Sequence, residues 1–198
     1  MRRRSGRRRG QRNRDRQADL IGVLVSGEGT NLQALIDSGL PITGVASNTP
    51  GARALERAER AGIPTNAFPA EDYADRDERD EAMGSWLEQR DVRLVVCAGY
   101  MHLLRPCFLK RFPGRVVNTH SARLPDFPGA RPIEDVLEAG VPETAATVHY
   151  VDEGVDSGPV IAAERVPVLA GDDASSLRAR VQAVEHRLLP QVVRELIS

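Results

Sequence analysis

Short, almost unbroken apolar runs recur along this chain, each ending at a polar or glycine-containing turn: Leu20-Ile21-Gly22-Val23-Leu24-Val25, Leu94-Val95-Val96-Cys97-Ala98 and Val116-Val117, with a further strand over Ile42 to Ser47. A strand with one wet face alternates apolar and polar residues, so continuous runs demand cover on both faces and point to a parallel sheet. The intervals supply that cover. Leu32 to Ile36 reads as a helix ending near Gly39, Arg53 to Ala61 as one stopped by Gly62, and a helix with Met83, Trp86 and Leu87 precedes Arg90. The rhythm changes after Pro132 to Ala139, a short helix closed by Gly140. Thr144 to Asp152 alternates, and Val160 to Val168 returns across a glycine-rich acidic loop, which predicts an antiparallel pair. A last helix begins near Asp172 or Asp173 and turns Leu177, Val181, Val184 and Leu188 to the core, with Arg178, Gln182 and Glu185 on the adjoining stripe.

Open α/β sheets bind ligands outside the carboxyl ends of their strands, and residues 26–31, 99–104 and 118–120 all fall at such ends, so they are expected to share one crevice. Ser26-Gly27-Glu28-Gly29-Thr30-Asn31 is a strand-to-helix turn whose free N–H groups and helix dipole favour an anion, most simply a phosphate, provided Glu28 points away. A tight turn that merely requires glycine fits it equally well. Neither common nucleotide loop is present, since G-x-G-x-x-G fails at Leu32 and no Gly-Lys-Ser/Thr occurs. Farther on, Asn118 and His120 stand two apart at a strand end, so both side chains project from one face. An amide donor and a protonated imidazole aimed at one point could hold an oxyanion and pass on a proton, which suits acyl transfer. The same pair could instead only tie down the loop that Pro125, Pro128 and Gly129 follow.

With 198 residues, 41% hydrophobic and 28% charged, the chain suits one globular domain over residues 18–198. Its net charge of -1 conceals an arm over residues 1–17 with nine arginines against one acid, Asp15, leaving the remainder at -9. A like-charged block without apolar residues buries nothing and is expected to be disordered; nucleic acid is expected as a partner only through this arm. No apolar run of about 18 residues spans a bilayer and no signal-peptide core follows the arm, so a cytoplasmic protein without a membrane role is expected. Cys97 and Cys107 form no C-x-x-C and read as packing residues in a reducing compartment. His102, His120, His149 and His186 lack metal-ligand spacing, so no metal is expected. In the acidic, polar stretch from Ala70 to Asp80, Arg76 reads as the prominent cation.

Taken together, Ser26 to Ala34, Ala98-Gly-Tyr-Met-His-Leu-Leu104, Asn118-Thr-His120 with Leu124-Pro-Asp-Phe-Pro-Gly129, and Val155-Asp156-Ser-Gly-Pro159 resemble the phosphoribosylglycinamide formyltransferase family in order and spacing, from about residue 20 to about residue 195. The resemblance implies the formyltransferase fold: α/β and Rossmann-like, with a mostly parallel sheet, helices on both faces and an antiparallel C-terminal strand pair. It implies formyl transfer from 10-formyltetrahydrofolate, as co-substrate, to the amine of glycinamide ribonucleotide in purine biosynthesis. Asn118, His120 and Asp156 would be catalytic, with Asp156 favouring the imidazolium of His120. Gly29, Thr30 and Asn31 would hold the phosphate, and Gln182 and Glu185 would reach the substrate from the last helix. Arg76, Met101, His102, Leu103, Leu104 and Asn118 would contact the folate, opposite a wall formed by residues 152–156. Small-molecule substrates and a monomer or homodimer are expected.

The pattern departs at Ser121, Ala122 and Arg123, where the family usually has proline and then small apolar residues, which predicts a less rigid, more charged loop. It also departs at Arg131-Pro132, where histidine is common, and at His102, where arginine is frequent. Within the same chemistry, the alternatives are a formyltetrahydrofolate deformylase and a formyltransferase for another amine; outside it, an RNA-binding protein using the arm.

Overall fold

The structure, a computed structural model, describes residues 19–198; the arginine-rich arm, and the disorder and nucleic-acid binding expected of it, lie outside the described residues. Five strands run parallel: β1 (Leu20–Val25), β2 (Ile42–Ser47), β3 (Thr65–Ala67), β4 (Val92–Cys97) and β5 (Val116–His120). β6 (Glu143–Tyr150) pairs antiparallel with β5, and β7 (Val160–Pro167) antiparallel with β6. The seven-stranded order is β3-β2-β1-β4-β5-β6-β7. Six α-helices pack around this sheet: α1 (Thr30–Asp37), α2 (Arg53–Arg60), α3 (Arg76–Glu88), α4 (Pro106–Leu109), α5 (Pro132–Ala139) and α6 (Ala174–Leu196). The α/β expectation, with its C-terminal antiparallel pair, holds. No helix among the described residues is long and apolar enough to cross a membrane.

Each continuous run is continuous because it feeds two cores. In β1, Ile21, Val23 and Val25 face the cluster built with α1, α2, α5 and α6, while Leu24 faces the cluster of Met83, Leu87, Phe108 and Phe112. In β4, Leu94 and Val96 join the first, and Val92, Val95 and Cys97 the second. From Leu94 onward this is the period-two division of a strand covered on both faces, and Arg93, exposed near the start of β4, is that strand's polar position. Burial pushes the Cys97 thiol up to about 12, consistent with a packing role.

The chain leaves β1 toward β2 and β3 on one side, then returns to place β4 on the other. This reversal opens a crevice at the carboxyl ends of β1 and β4. The antiparallel β6 folds back beside β5 and sets His149 opposite Asn118, level with Cys97 at the end of β4.

Candidate active site

A cavity of about 660 Å³ occupies that crevice, and residues 26–31, 97–104 and 118–121 all line it, together with residues 151–156 and Arg178, Gln182 and Glu185. Every expected site residue lies on its walls except Arg76. That guanidinium donates instead to the Leu103 carbonyl, 2.5 Å away, and so braces the wall from outside.

At one end, α1 begins without a side-chain cap and with no acidic residue in its first turn. Its first N–H groups have no partner within the helix and face an electropositive terminus. Gly29 makes the turn at φ 73°, and a Cβ there would lie 2.6 Å from that of Ala54, so both the backbone and the contact with α2 require glycine. Glu28 is turned toward α2, where its carboxylate pairs with Arg53 at 2.9 Å and its carbonyl accepts from Arg57 at 2.8 Å. The anionic residue of the loop is thereby removed from the helix terminus. Beside this terminus the Glu185 carboxylate, only 2% exposed, accepts from Asn31 Nδ2 at 2.9 Å and from Ser121 Oγ at 2.6 Å. Asn31 Oδ1 is buried with no partner of its own.

On the cavity floor, His120 Nε2 lies 2.7 Å from the Phe127 carbonyl. A carbonyl only accepts, so this bond puts a hydrogen on Nε2 and leaves Nδ1 facing Asp156 Oδ2 at 3.5 Å. The same carboxylate oxygen accepts from Gly129 N–H at 2.9 Å, while Asp156 Oδ1 lies 3.5 Å from His149 Nε2. Burial pushes the Asp156 carboxyl up, but the His149 imidazole, the Gly129 N–H and the charge of His120 outweigh it, holding the group below the usual carboxylate range. His149 stands opposite Asn118 in the β5–β6 register, with Nε2 3.1 Å from Asn118 Nδ2. Its Nδ1 is 2.8 Å from the Tyr150 carbonyl and so carries a hydrogen. Nε2 thus lies within reach of both the Asn118 amide and the Asp156 carboxylate, and the second amide hydrogen of Asn118 stays free for a ligand oxygen.

The loop after β5 is tied down where the departures predicted looseness. Ser121 is bound to Glu185, Ala122 is fully buried with its carbonyl accepting from Thr147 Oγ1 at 2.7 Å, and Arg123 pairs with Glu143 at 2.5 Å. The extra charge is met by a carboxylate.

At the other end, Met101 and Leu103 are the exposed apolar residues of one wall and Val155 that of the facing one. His102 lies between Arg79, whose Nη1 is 2.8 Å from Nδ1, and Asn48. Its imidazole is held below the ordinary histidine range by burial and by the charges of Arg79 and Arg76. Two residues here escaped the sequence reading. His149 was only a member of an alternating strand, and its pairing with Asn118 depends on the β5–β6 register. Arg79 was hidden in an acidic stretch where Arg76 stood out. Among the described residues no cluster of histidine, cysteine or carboxylate side chains could hold a metal ion.

The sequence and structure of known proteins bear on this site. A model of the formyl transferase family matches residues 20–193. Phosphoribosylglycinamide formyltransferase of Mycobacterium tuberculosis is 43% identical over 180 residues, covering 89% of this chain and 84% of that protein. The crystal structure of phosphoribosylglycinamide formyltransferase from Streptococcus pneumoniae superposes with a TM-score of 0.88 at 40% identity, over 91% of this chain and 99% of that one. The trifunctional purine biosynthetic protein adenosine-3 of Gallus gallus is 43% identical over 184 residues, and this chain spans 18% of its length. The two-core α/β sheet, with its crevice at the ends of β1, β4 and β5, is therefore the scaffold of a known group of enzymes, and the chain belongs to the formyl transferase family.

Proposed function

We propose that this chain transfers the formyl group of 10-formyltetrahydrofolate to the amine of 5'-phosphoribosylglycinamide. The observation that carries this reading is the cluster of Asn118, His120, His149 and Asp156 on the floor of a cavity with an anion-favouring helix terminus at one end and an apolar slot at the other. The phosphate fits the first turn of α1 at Gly29, Thr30 and Asn31, and Glu185 with Gln182 faces the sugar. The flat pteridine fits between the Met101–Leu104 loop and residues 152–156, with Arg76 at the rim.

In this arrangement the substrate amine attacks the formyl carbon directly, and the carbonyl electrons move onto the formyl oxygen. The free Asn118 N–H and the Nδ1 side of protonated His120 stabilise that oxyanion, while Asp156 balances the imidazolium. Collapse re-forms the carbonyl and breaks the bond to N10 of the folate. The proton lost by the amine is the one N10 gains, relayed through the His120–Asp156 pair. No covalent enzyme intermediate is required.

Formyl transfer from 10-formyltetrahydrofolate, followed by absorbance with and without the ribonucleotide, tests the proposal. Turnover that requires the ribonucleotide is expected. Turnover without it would make the chain a deformylase, and none under either condition would overturn the assignment.

A further inference from the structure

Arg79 and Asp80 form an ion pair that is 1% and 0% exposed, and neither side chain enters the chemistry above. Removing two charges from water costs several kcal/mol per ion, so such a pair persists only where its remaining donors and acceptors are satisfied. Here they are satisfied by one segment. Arg79 gives Nε and Nη2 to Asp80 Oδ1 at 3.1 and 2.9 Å, and its Nη1 goes to His102 Nδ1 at 2.8 Å. Asp80 Oδ2 accepts the Arg105 N–H at 2.8 Å. A guanidinium has no acceptor, so Nδ1 must accept and the His102 ring is neutral. One turn earlier, Arg76 holds the Leu103 carbonyl. Side chains of α3 thus grip the loop at residues 102, 103 and 105, while Ser26 Oγ accepts the Met101 N–H at 2.9 Å. The residues so gripped carry Met101 and Leu103, which are 72% and 52% exposed and line the cavity outside both apolar cores.

We propose that Arg79 is a positioning residue: through His102 it holds the Met101–Leu104 wall in the shape that receives the pteridine of the co-substrate. The inference rests on the reading that this wall binds 10-formyltetrahydrofolate. An exposed apolar loop would otherwise have to be ordered at the expense of binding energy, and a fixed wall removes that cost.

The test compares the full chain with R79M/D80N, which removes both charges together and leaves no buried ion unpaired, and with R79K, which keeps the pair and a donor toward His102. Hydrogen exchange of residues 100–105 and steady-state kinetics are measured on each. In R79M/D80N the loop amides are expected to exchange at least ~10-fold faster, and KM for 10-formyltetrahydrofolate to rise ~5-fold or more. Its kcat, its KM for the ribonucleotide and its Tm are expected to stay near those of the parent, and R79K to restore the co-substrate KM to within ~2-fold. Unchanged loop exchange and KM in R79M/D80N would overturn the proposal. So would a fall in Tm and kcat with a rise in both KM values, which would mark a purely structural pair. If loop exchange rises but the parent shows no formyl transfer, the functional reading fails and the pteridine-binding role of the wall falls with it.

Discussion

Replacing Asp156 by asparagine removes a charge and almost nothing else. The residue sits at φ 51°, in the left-handed region that asparagine tolerates well, and an amide oxygen can still accept the Gly129 N–H. What disappears is a carboxylate 3.5 Å from both His120 Nδ1 and His149 Nε2. The group is 15% exposed, near the regime where a unit-charge pair at about 4 Å is worth about 4 kcal/mol. An amide dipole recovers roughly 1 kcal/mol as a neutral hydrogen bond. The remainder, about 3 kcal/mol, falls on a step in which the imidazolium must be held opposite a developing oxyanion, and at 1.36 kcal/mol per decade it corresponds to roughly 10²-fold in kcat. Formyl transfer at saturating co-substrate and ribonucleotide, with Tm recorded in parallel, measures the loss. An Asp156→Asn enzyme that folds normally and keeps more than about one-fifth of the parent kcat would refute the charge-pairing argument.

His120→Ala removes both the acid and an oxyanion donor and is expected to lower kcat by at least ~100-fold in the same assay. Gly29→Ala drives a Cβ to 2.6 Å from that of Ala54 at a positive φ, so it should raise KM for the ribonucleotide at least ~10-fold and lower Tm by several degrees; an unchanged KM would remove the phosphate from this turn. The depressed His102 pKa gives a pH signature in stability rather than activity. Below about 6.5 the unfolded chain takes up a proton that the folded ring refuses beside Arg79 and Arg76, so stability should decline as pH falls through this range; denaturant titrations of the parent and of His102→Gln, which has no such proton to bind, check it.

The fold was legible because each of its central strands is buried twice. Where both faces of a strand feed a core, most of its positions must be apolar, and the runs Leu20–Val25 in β1 and Leu94–Cys97 in β4 stand out on that ground alone. The helix ends were legible for a local reason too: Gly140 takes φ 61° at the C-cap of α5, and Asp173 caps α6 with Ser176 in a reciprocal pair of bonds. The four-residue α4 escaped notice because Pro106-Cys107-Phe108-Leu109 is too short to display a helical period.

The site divides along the same line between local and long-range information. Asn118 and His120 are two apart on one strand, and Gly29 to Asn31 are contiguous, so their joint direction follows from backbone geometry alone. Asp156 enters from a separate loop, and only the family resemblance connected it with them. His149 and Arg79 had neither aid. The meeting of His149 with Asn118 is set by an antiparallel register that a one-residue slip would abolish. Arg79 lies one turn beyond Arg76 on α3: the Arg76 guanidinium braces the loop from outside at Leu103, whereas that of Arg79 is buried, where Asp80 and His102 must already be waiting. A charge in an acidic stretch reads as solvated surface unless its partners are known, and those partners come from the folded arrangement of α3 against the β4–α4 loop. The residues that perform the proposed chemistry could therefore be named from short motifs, whereas those that hold them in place emerge only from the pairing of distant segments.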